Sequence, residues 1–151
     1  TWGADKQLTT NTLDQRYPSI AADGYDVHVV WTDYRTTGNT EIYYRRSIDK
    51  GTTYKGEVKL TKKTGESQYA SVAVQGRTVY VVWEDTRIGT YEIWFKDSPD
   101  RGSHWTEDRS LSKLYDAMSR TPSVSVARDN VYVAWTDYRD GNAEIYFKYR
   151  W

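Results

Sequence analysis

The side chains in this sequence with the clearest capacity for chemistry are five arginines, Arg16, Arg35, Arg87, Arg120 and Arg139. A guanidinium carries a planar fork of donors that grips a carboxylate through two parallel hydrogen bonds, so arginines gathered on one surface could hold a carboxylated ligand. Three of the five follow an aspartate by two residues: Asp33 and Arg35, Asp85 and Arg87, Asp137 and Arg139. Strand alternation puts each pair on the same side as the preceding Trp31, Trp83 or Trp135, so each Asp can neutralise its own Arg or one on a neighbouring repeat. A pair repeated so regularly answers a need that every repeat shares, and attachment to its neighbours is the simplest one. Glu41, Glu92 and Glu144 fall under the same argument.

Other chemistry is thin. The two histidines, His28 in a strand-like run and His104 in a turn-like one, lack the spacing of metal ligands, and there is no cysteine. No Gly-rich phosphate loop occurs, so neither a metal nor a cofactor is expected, and no catalytic residue stands out. Lys and Arg number 21 against 21 Asp and Glu, a net charge of zero that favours neither nucleic acid nor an anionic membrane as partner. The longest apolar runs, such as Val27 to Trp31, are strand-length and far too short to span a bilayer as a helix.

These residues sit on a repeat. Ser19, Ser71 and Ser123, each opening a short strand, are 52 apart, as are Trp31, Trp83 and Trp135 in a second strand. Gly-containing turns lead to a third strand, Glu41 to Tyr44, Glu92 to Phe95 and Glu144 to Phe147, and a fourth ends at Leu60-Thr61 or Leu111-Ser112. Four strands per period of about fifty residues, with no helical pattern, predict an all-β fold of β-propeller blades. Seven Trp and fourteen Tyr against two Phe suit sheets packed face to face, the ring buried and its polar edge near a partner.

Between the third and fourth strands lie Ser47, Asp49, Gly51 and Tyr54, and again Ser98, Asp100, Gly102 and Trp105. Both runs follow Ser-x-Asp-x-Gly-x-Thr-Trp, with Tyr54 in place of Trp and His104 in place of Thr. On these motifs and the surrounding repeat the chain resembles the sialidase-like, Asp-box (BNR) β-propellers over essentially its whole length. The box reads as structural: Asp and Ser bond nearby backbone, Gly adopts a left-handed conformation, and the aromatic plugs the sheet edge. Arg16-Tyr17-Pro18 and Arg120-Thr121-Pro122 are similar to an Arg-Ile-Pro element that supplies a carboxylate-binding arginine in that family. The resemblance implies that substrate is received on the face opposite the boxes, and it implies a secreted or cell-surface setting.

The third box is missing, while Thr1-Trp2 followed by Leu8-Thr9 matches Thr53-Tyr54 followed by Leu60-Thr61. The chain therefore divides into residues 1–14, a fourth strand with its connection; blades at 15–66 and 67–118; and three strands of a last blade at 119–151. Three blades cannot surround an axis, since propellers have about four to eight, so the expectation is a homodimer in which each N-terminal strand completes the other chain's last blade in a ring of six. A trimer, or a longer chain carrying the other blades, are the alternatives. Three functions stay open. One is a non-catalytic, self-assembling module that binds glycans, with Tyr25, Tyr69, Tyr91 and Tyr115 as stacking candidates. The second is a sialidase-type glycoside hydrolase or a fragment of one, whose Tyr nucleophile, Glu partner, acid-base Asp and arginine triad no pattern singles out. The third is a structural or engineered half-propeller without ligand.

Overall fold

The computed structural model of the chain describes residues 1–36, 38–112, 117–128 and 130–150. Eleven strands among them make three antiparallel sheets. The first has the order β1 (Gln15–Asp23), β2 (Asp26–Thr36), β3 (Asn39–Ser47), β4 (Val58–Lys59), and the second repeats it with β5 (Ser67–Gln75), β6 (Thr78–Asp85), β7 (Glu92–Ser98), β8 (Arg109–Ser110). The third contains β9 (Ser119–Ala127), β10 (Asn130–Asp137) and β11 (Glu144–Arg150), and no strand lies beyond β11 among the described residues. No helix of the described residues is long and apolar enough to cross a membrane.

The fourth strands are shorter than the sequence suggests, two residues each, because the Asp box takes up the chain before them. Single bonds, Leu60 N–H to Ile42 O and Leu111 N–H to Ile93 O at 2.8 Å, carry the pairing one step further. Each first strand begins with a bulge, at Arg16/Ser19, Gln68/Ser71 and opposite Ala134/Thr136. There Tyr17, Tyr69 and Thr121 have φ of 56°, 53° and 49°, a left-handed backbone that costs a non-glycine residue on the order of 1–3 kcal/mol. The same strain three times in succession is a property of the blade, and it re-aims these side chains at one end of the sheets.

The sheets stack face to face through alternate residues. Val30, Ile42, Tyr44 and Leu60 of the first blade meet Val72, Val79, Val81 and Trp83 of the second. Tyr80, Val82, Ile93 and Phe95 of the second meet Val124, Val131, Val133 and Trp135 of the third. Burying an aliphatic or aromatic side chain here stabilises by about 1.5–3 kcal/mol. The stack ends abruptly. Ile42 and Ile93 are fully buried while their counterpart Ile145 is 75% exposed, and Phe147 is 57% exposed where Tyr44 and Phe95 are buried. At the other end Ile20 is 67% exposed, although Val72 and Val124 in the same place are buried.

Residues 1–14 form no strand within the chain. They lie against the first blade, where Lys6 Nζ donates to Gly51 O at 3.1 Å and the Arg45 guanidinium donates to Leu8 O.

His28, fully buried, stacks on Tyr44 as Tyr80 does on Phe95 and Tyr132 on Phe147, and its Nδ1 lies 2.7 Å from the Tyr44 hydroxyl. Burial pushes its pKa down to about 4, against a smaller opposing pull from Asp26. Between that value and the ordinary 6.5 or so the unfolded chain takes up a proton that the folded one refuses, so this contribution is complete above pH 6.5 and is lost as pH falls toward 4. Urea titrations at pH 7 and pH 4.5 should therefore show wild type losing about 2 kcal/mol more stability than His28→Gln. Equal losses would mean that His28 is charged in the fold.

Candidate functional site

Each blade ends its second strand in one clasp. Asp33 accepts from Trp31 Nε1 (3.1 Å), from the Arg35 backbone N–H (2.9 Å), and from Arg35 Nε and Nη2 (2.8 and 2.6 Å). Asp85 with Trp83 and Arg87, and Asp137 with Trp135 and Arg139, repeat it within a few tenths of an ångström. Burial works against the charge of Asp33 and Asp85, yet the arginine bonds outweigh it and hold both below the usual carboxylate range. The Arg139 bond likewise depresses Asp137. A second carboxylate, from the residue just before the fourth strand, adds to two clasps: Glu57 on Arg35 at 2.8 Å and Asp108 on Arg87 at 2.6 Å. The guanidinium groups also lie 3.9–4.2 Å from the ring centres of Tyr43, Trp94 and Tyr146. Three of the five candidate arginines are thus spent within their own blades, and Arg35 and Arg87 also reach the chain entering the fourth strand.

The other two sit with the bulges. Arg16 is exposed, paired with Asp14 and 5.4 Å from the Tyr34 ring centre. Arg120 grips the fully buried Glu84 (2.9 and 3.3 Å), whose other oxygen takes the Thr121 N–H at 2.8 Å, joining the third blade to the second. Arg120 also lies 4.2 Å from the ring centre of Tyr91. The Tyr91 hydroxyl donates to Glu66 at 2.9 Å and accepts from Gln68 Nε2 at 3.0 Å. Burial, then Glu66, raise its pKa. Tyr17 and Tyr69 pack ring on ring with centres 4.3 Å apart, and their mutual hydrogen bond lowers the pKa of Tyr17 while pushing Tyr69 up to about 12. This end of the sheets therefore carries exposed phenol faces beside guanidinium, carboxamide and carboxylate groups. Such a surface can stack on a sugar ring and bond its hydroxyls.

The sequence singles out Arg120 and Tyr91 separately but gives no sign of the Tyr91–Glu66–Gln68–Arg120 group, because its members come from three separate places in the chain. Of the stacking candidates Tyr69 and Tyr91 belong to this end, and Tyr115 lies outside the described residues. Tyr25 lies at the opposite end, in the β1–β2 turn beside Lys50 of the first box, 4.5 Å from ring centre to Nζ.

The motif's polar side chains bond within each box, while Arg101 of the second also ties to Asp26 and Tyr44 of the first blade. Ser47 Oγ donates to Asp49 (2.6 Å) and accepts the Gly51 N–H (2.8 Å), while Asp49 takes the Thr53 N–H (2.8 Å) and hydroxyl (2.6 Å). Those bonds bring Asp49 down to about 2. Ser98, Asp100, Gly102 and His104 reproduce the arrangement, with His104 Nδ1 on the carboxylate in place of the Thr hydroxyl. Gly102 has φ +81°, and a Cβ there would overlap the Tyr44 hydroxyl, so the turn must pass bare over the first blade. Trp105 meets Tyr44 edge-on at 5.0 Å, while Tyr54 lies under Lys6. Among the described residues no three His, Cys, Asp or Glu side chains gather as a metal site.

No protein-family model and no curated protein matches the chain. Among solved structures it is similar to the GH93 α-L-arabinofuranosidase of Fusarium graminearum (16% identity, TM-score 0.65, 93% of this chain and 48% of that one). It is also similar to the catalytic domain of the Coprinopsis cinerea GH62 α-L-arabinofuranosidase (15%, 0.62, 96% and 49%) and to Trypanosoma rangeli sialidase (16%, 0.57, 89% and 30%). The chain spans half or less of the length of these proteins. At such identities the likeness concerns the fold, which is that of β-propeller blades of the sialidase and related glycoside hydrolase kind.

The clasp makes a prediction that separates packing from ligand binding. Removing the charge of Asp85 leaves Arg87, only 8% exposed in its side chain, with Asp108 alone, and breaking a buried pair costs about 3–5 kcal/mol. Asp85→Asn should lower the free energy of unfolding by about that much in urea. An unchanged midpoint would return Arg87 to the list of ligand-binding residues.

Proposed function

We propose that the chain forms a non-catalytic, sialidase-like propeller surface that binds carbohydrate on the face opposite the Asp boxes. The observation that carries this reading is the Tyr17–Tyr69 ring pair, partly open to solvent and flanked by Arg16 on Tyr34, at the end of the sheets where the bulges re-aim the backbone. Phenol faces stack on the apolar faces of pyranose rings, and the neighbouring guanidinium and amide groups bond the hydroxyls. The commitment of Arg35, Arg87 and Arg139 to Asp33, Asp85 and Asp137 supports the non-catalytic part, because three of the arginines that could have surrounded a sugar carboxylate are engaged elsewhere. Repetition of similar surfaces from blade to blade suits weak sites that gain strength by avidity toward repeated glycans.

A second reading, a sialidase-type glycoside hydrolase or part of one, is favoured by a specific observation. Tyr91 and Glu66 are hydrogen-bonded at 2.9 Å, the arrangement by which a carboxylate could take the proton from a phenol nucleophile, and Arg120 stands over the same ring.

A glycan array and a fluorogenic sialoside divide the two. The account predicts glycan binding, weakened about tenfold in Tyr17→Ala, or about 1.4 kcal/mol, with no release of fluorophore. Sialoside turnover that disappears in Tyr91→Phe would establish the second reading, and an array without a single bound glycan would remove the carbohydrate function altogether.

A further inference from the structure

Each of the five arginines that could hold a ligand carboxylate already holds one of the chain's own. Arg35, Arg87 and Arg139 reach Asp33, Asp85 and Asp137 with Nη2 at 2.6 Å, and Glu57 and Asp108 add a second carboxylate to the first two. Arg120 is held by Glu84 at 2.9 Å, and the Glu84 side chain is fully buried, so it has no solvent into which to withdraw. Arg16 pairs with Asp14 where both side chains are more than half exposed. A pair of that kind is worth little in water, which makes Arg16 the single guanidinium of the five that a ligand could take over.

Glu66 stands at the same end of the sheets without such compensation. It is exposed, and its Oε2 accepts from the Tyr91 hydroxyl at 2.9 Å and from Gln68 Nε2 at 3.4 Å. Its backbone N–H donates to Thr86 Oγ1 at 2.8 Å. None of these partners among the described residues is cationic, and Glu66 Oε1 is left open as an acceptor. Gln68 spends its Nε2 on Tyr91 and Glu66, so its carbonyl oxygen is open as well. The carboxylate also bears on the tyrosines of the ring pair. Burial and the neighbouring Tyr17 raise the pKa of Tyr34, and Glu66 adds to them against the pull of Arg16.

What this end offers a ligand is therefore aromatic faces, open acceptors and one uncompensated negative charge. A sugar hydroxyl both donates and accepts, so it can give its proton to Glu66 Oε1 or to the Gln68 carbonyl. A ligand carboxylate accepts only, and here it would meet a like charge with four of the five guanidinium groups already committed. Resting on the glycan-binding reading of this surface, we infer that the surface takes neutral glycans and rejects carboxylated ones, with Glu66 setting the preference. Tyr17 and Tyr69 stack on either kind of ring, and the repulsive element is what discriminates.

An array that carries neutral oligosaccharides beside their uronate-bearing and sialate-bearing counterparts reads the preference. The bound glycans should be neutral. Titrated in solution at about 0.01 M salt, the tightest of them should bind about tenfold more tightly than its uronate counterpart. Raising the salt to about 1 M shortens the screening length from about 30 to about 3 Å and should narrow that gap. Glu66→Gln keeps the shape and an acceptor oxygen while removing the charge, at an exposed position where the unfolding midpoint should not move. It should narrow the low-salt gap about threefold or more, chiefly by tightening the uronate. Carboxylated glycans bound as tightly as neutral ones, or more so, overturn the inference and leave glycan binding standing. A gap unchanged in Glu66→Gln overturns the role of Glu66. An array with nothing bound removes the underlying reading, and the preference with it.

Discussion

A propeller blade has two apolar faces, and both must be covered. A four-stranded sheet offers too little interior of its own, so the stability of each blade resides in its contact with the next, and the rest of this structure follows from that dependence. The second blade meets the requirement on both sides and accordingly holds most of the fully buried large side chains, Trp83, Ile93, Val79, Val81 and Val82 among them. The first blade keeps Val29 and Trp31 buried on its outer side while Ile20 is exposed there, and the third leaves Ile145 and Phe147 exposed. The same residue types at the same positions pass from fully buried to largely exposed, from Ile93 to Ile145, with no change in sequence logic.

Polar chemistry is arranged to survive that packing. A carboxylate buried at the end of the second strand would be costly alone, and each one is compensated by an indole N–H, a backbone N–H and a bidentate arginine. The clasp ties a blade's inner strands to its outer one through Glu57 or Asp108, while Thr32 and Glu84 tie blade to blade at the bulges. What remains free for recognition is what the clasps do not use: the phenols at the bulges, Arg16, and the Tyr91–Glu66 pair. The proposed recognition surface and the scaffold thus share one end of the sheets without sharing the same side chains.

The architecture was legible because repetition is a redundant signal. Three tryptophans 52 residues apart, each followed by Asp-x-Arg, define the second strand of every blade, and Ser47 to Tyr54 and Ser98 to Trp105 define the turns after the third. Alternation also placed Trp31, Asp33 and Arg35 on one side, where they bond. The length of the fourth strands was not legible, since Val58–Lys59 and Arg109–Ser110 are governed by where each box lets the chain rejoin the sheet. The site was harder still. Glu84 holds Arg120 because the second blade has Glu where the others have Thr32 and Thr136, and such a departure from a repeat reads as noise until a partner 36 residues away is seen beside it. The placement of Tyr25 with the boxes follows from strand direction alone, since a turn between first and second strands lies at the box end.

Amide hydrogen exchange in Val82→Ala, read across the second junction at Val124 and Val133, tests most directly whether each blade is held by its contact with the next. The account predicts that protection falls at Val124 and Val133 of the third blade as well as at Ile93 of the second. Protection that falls at Ile93 and is unchanged at Val124 and Val133 would contradict it.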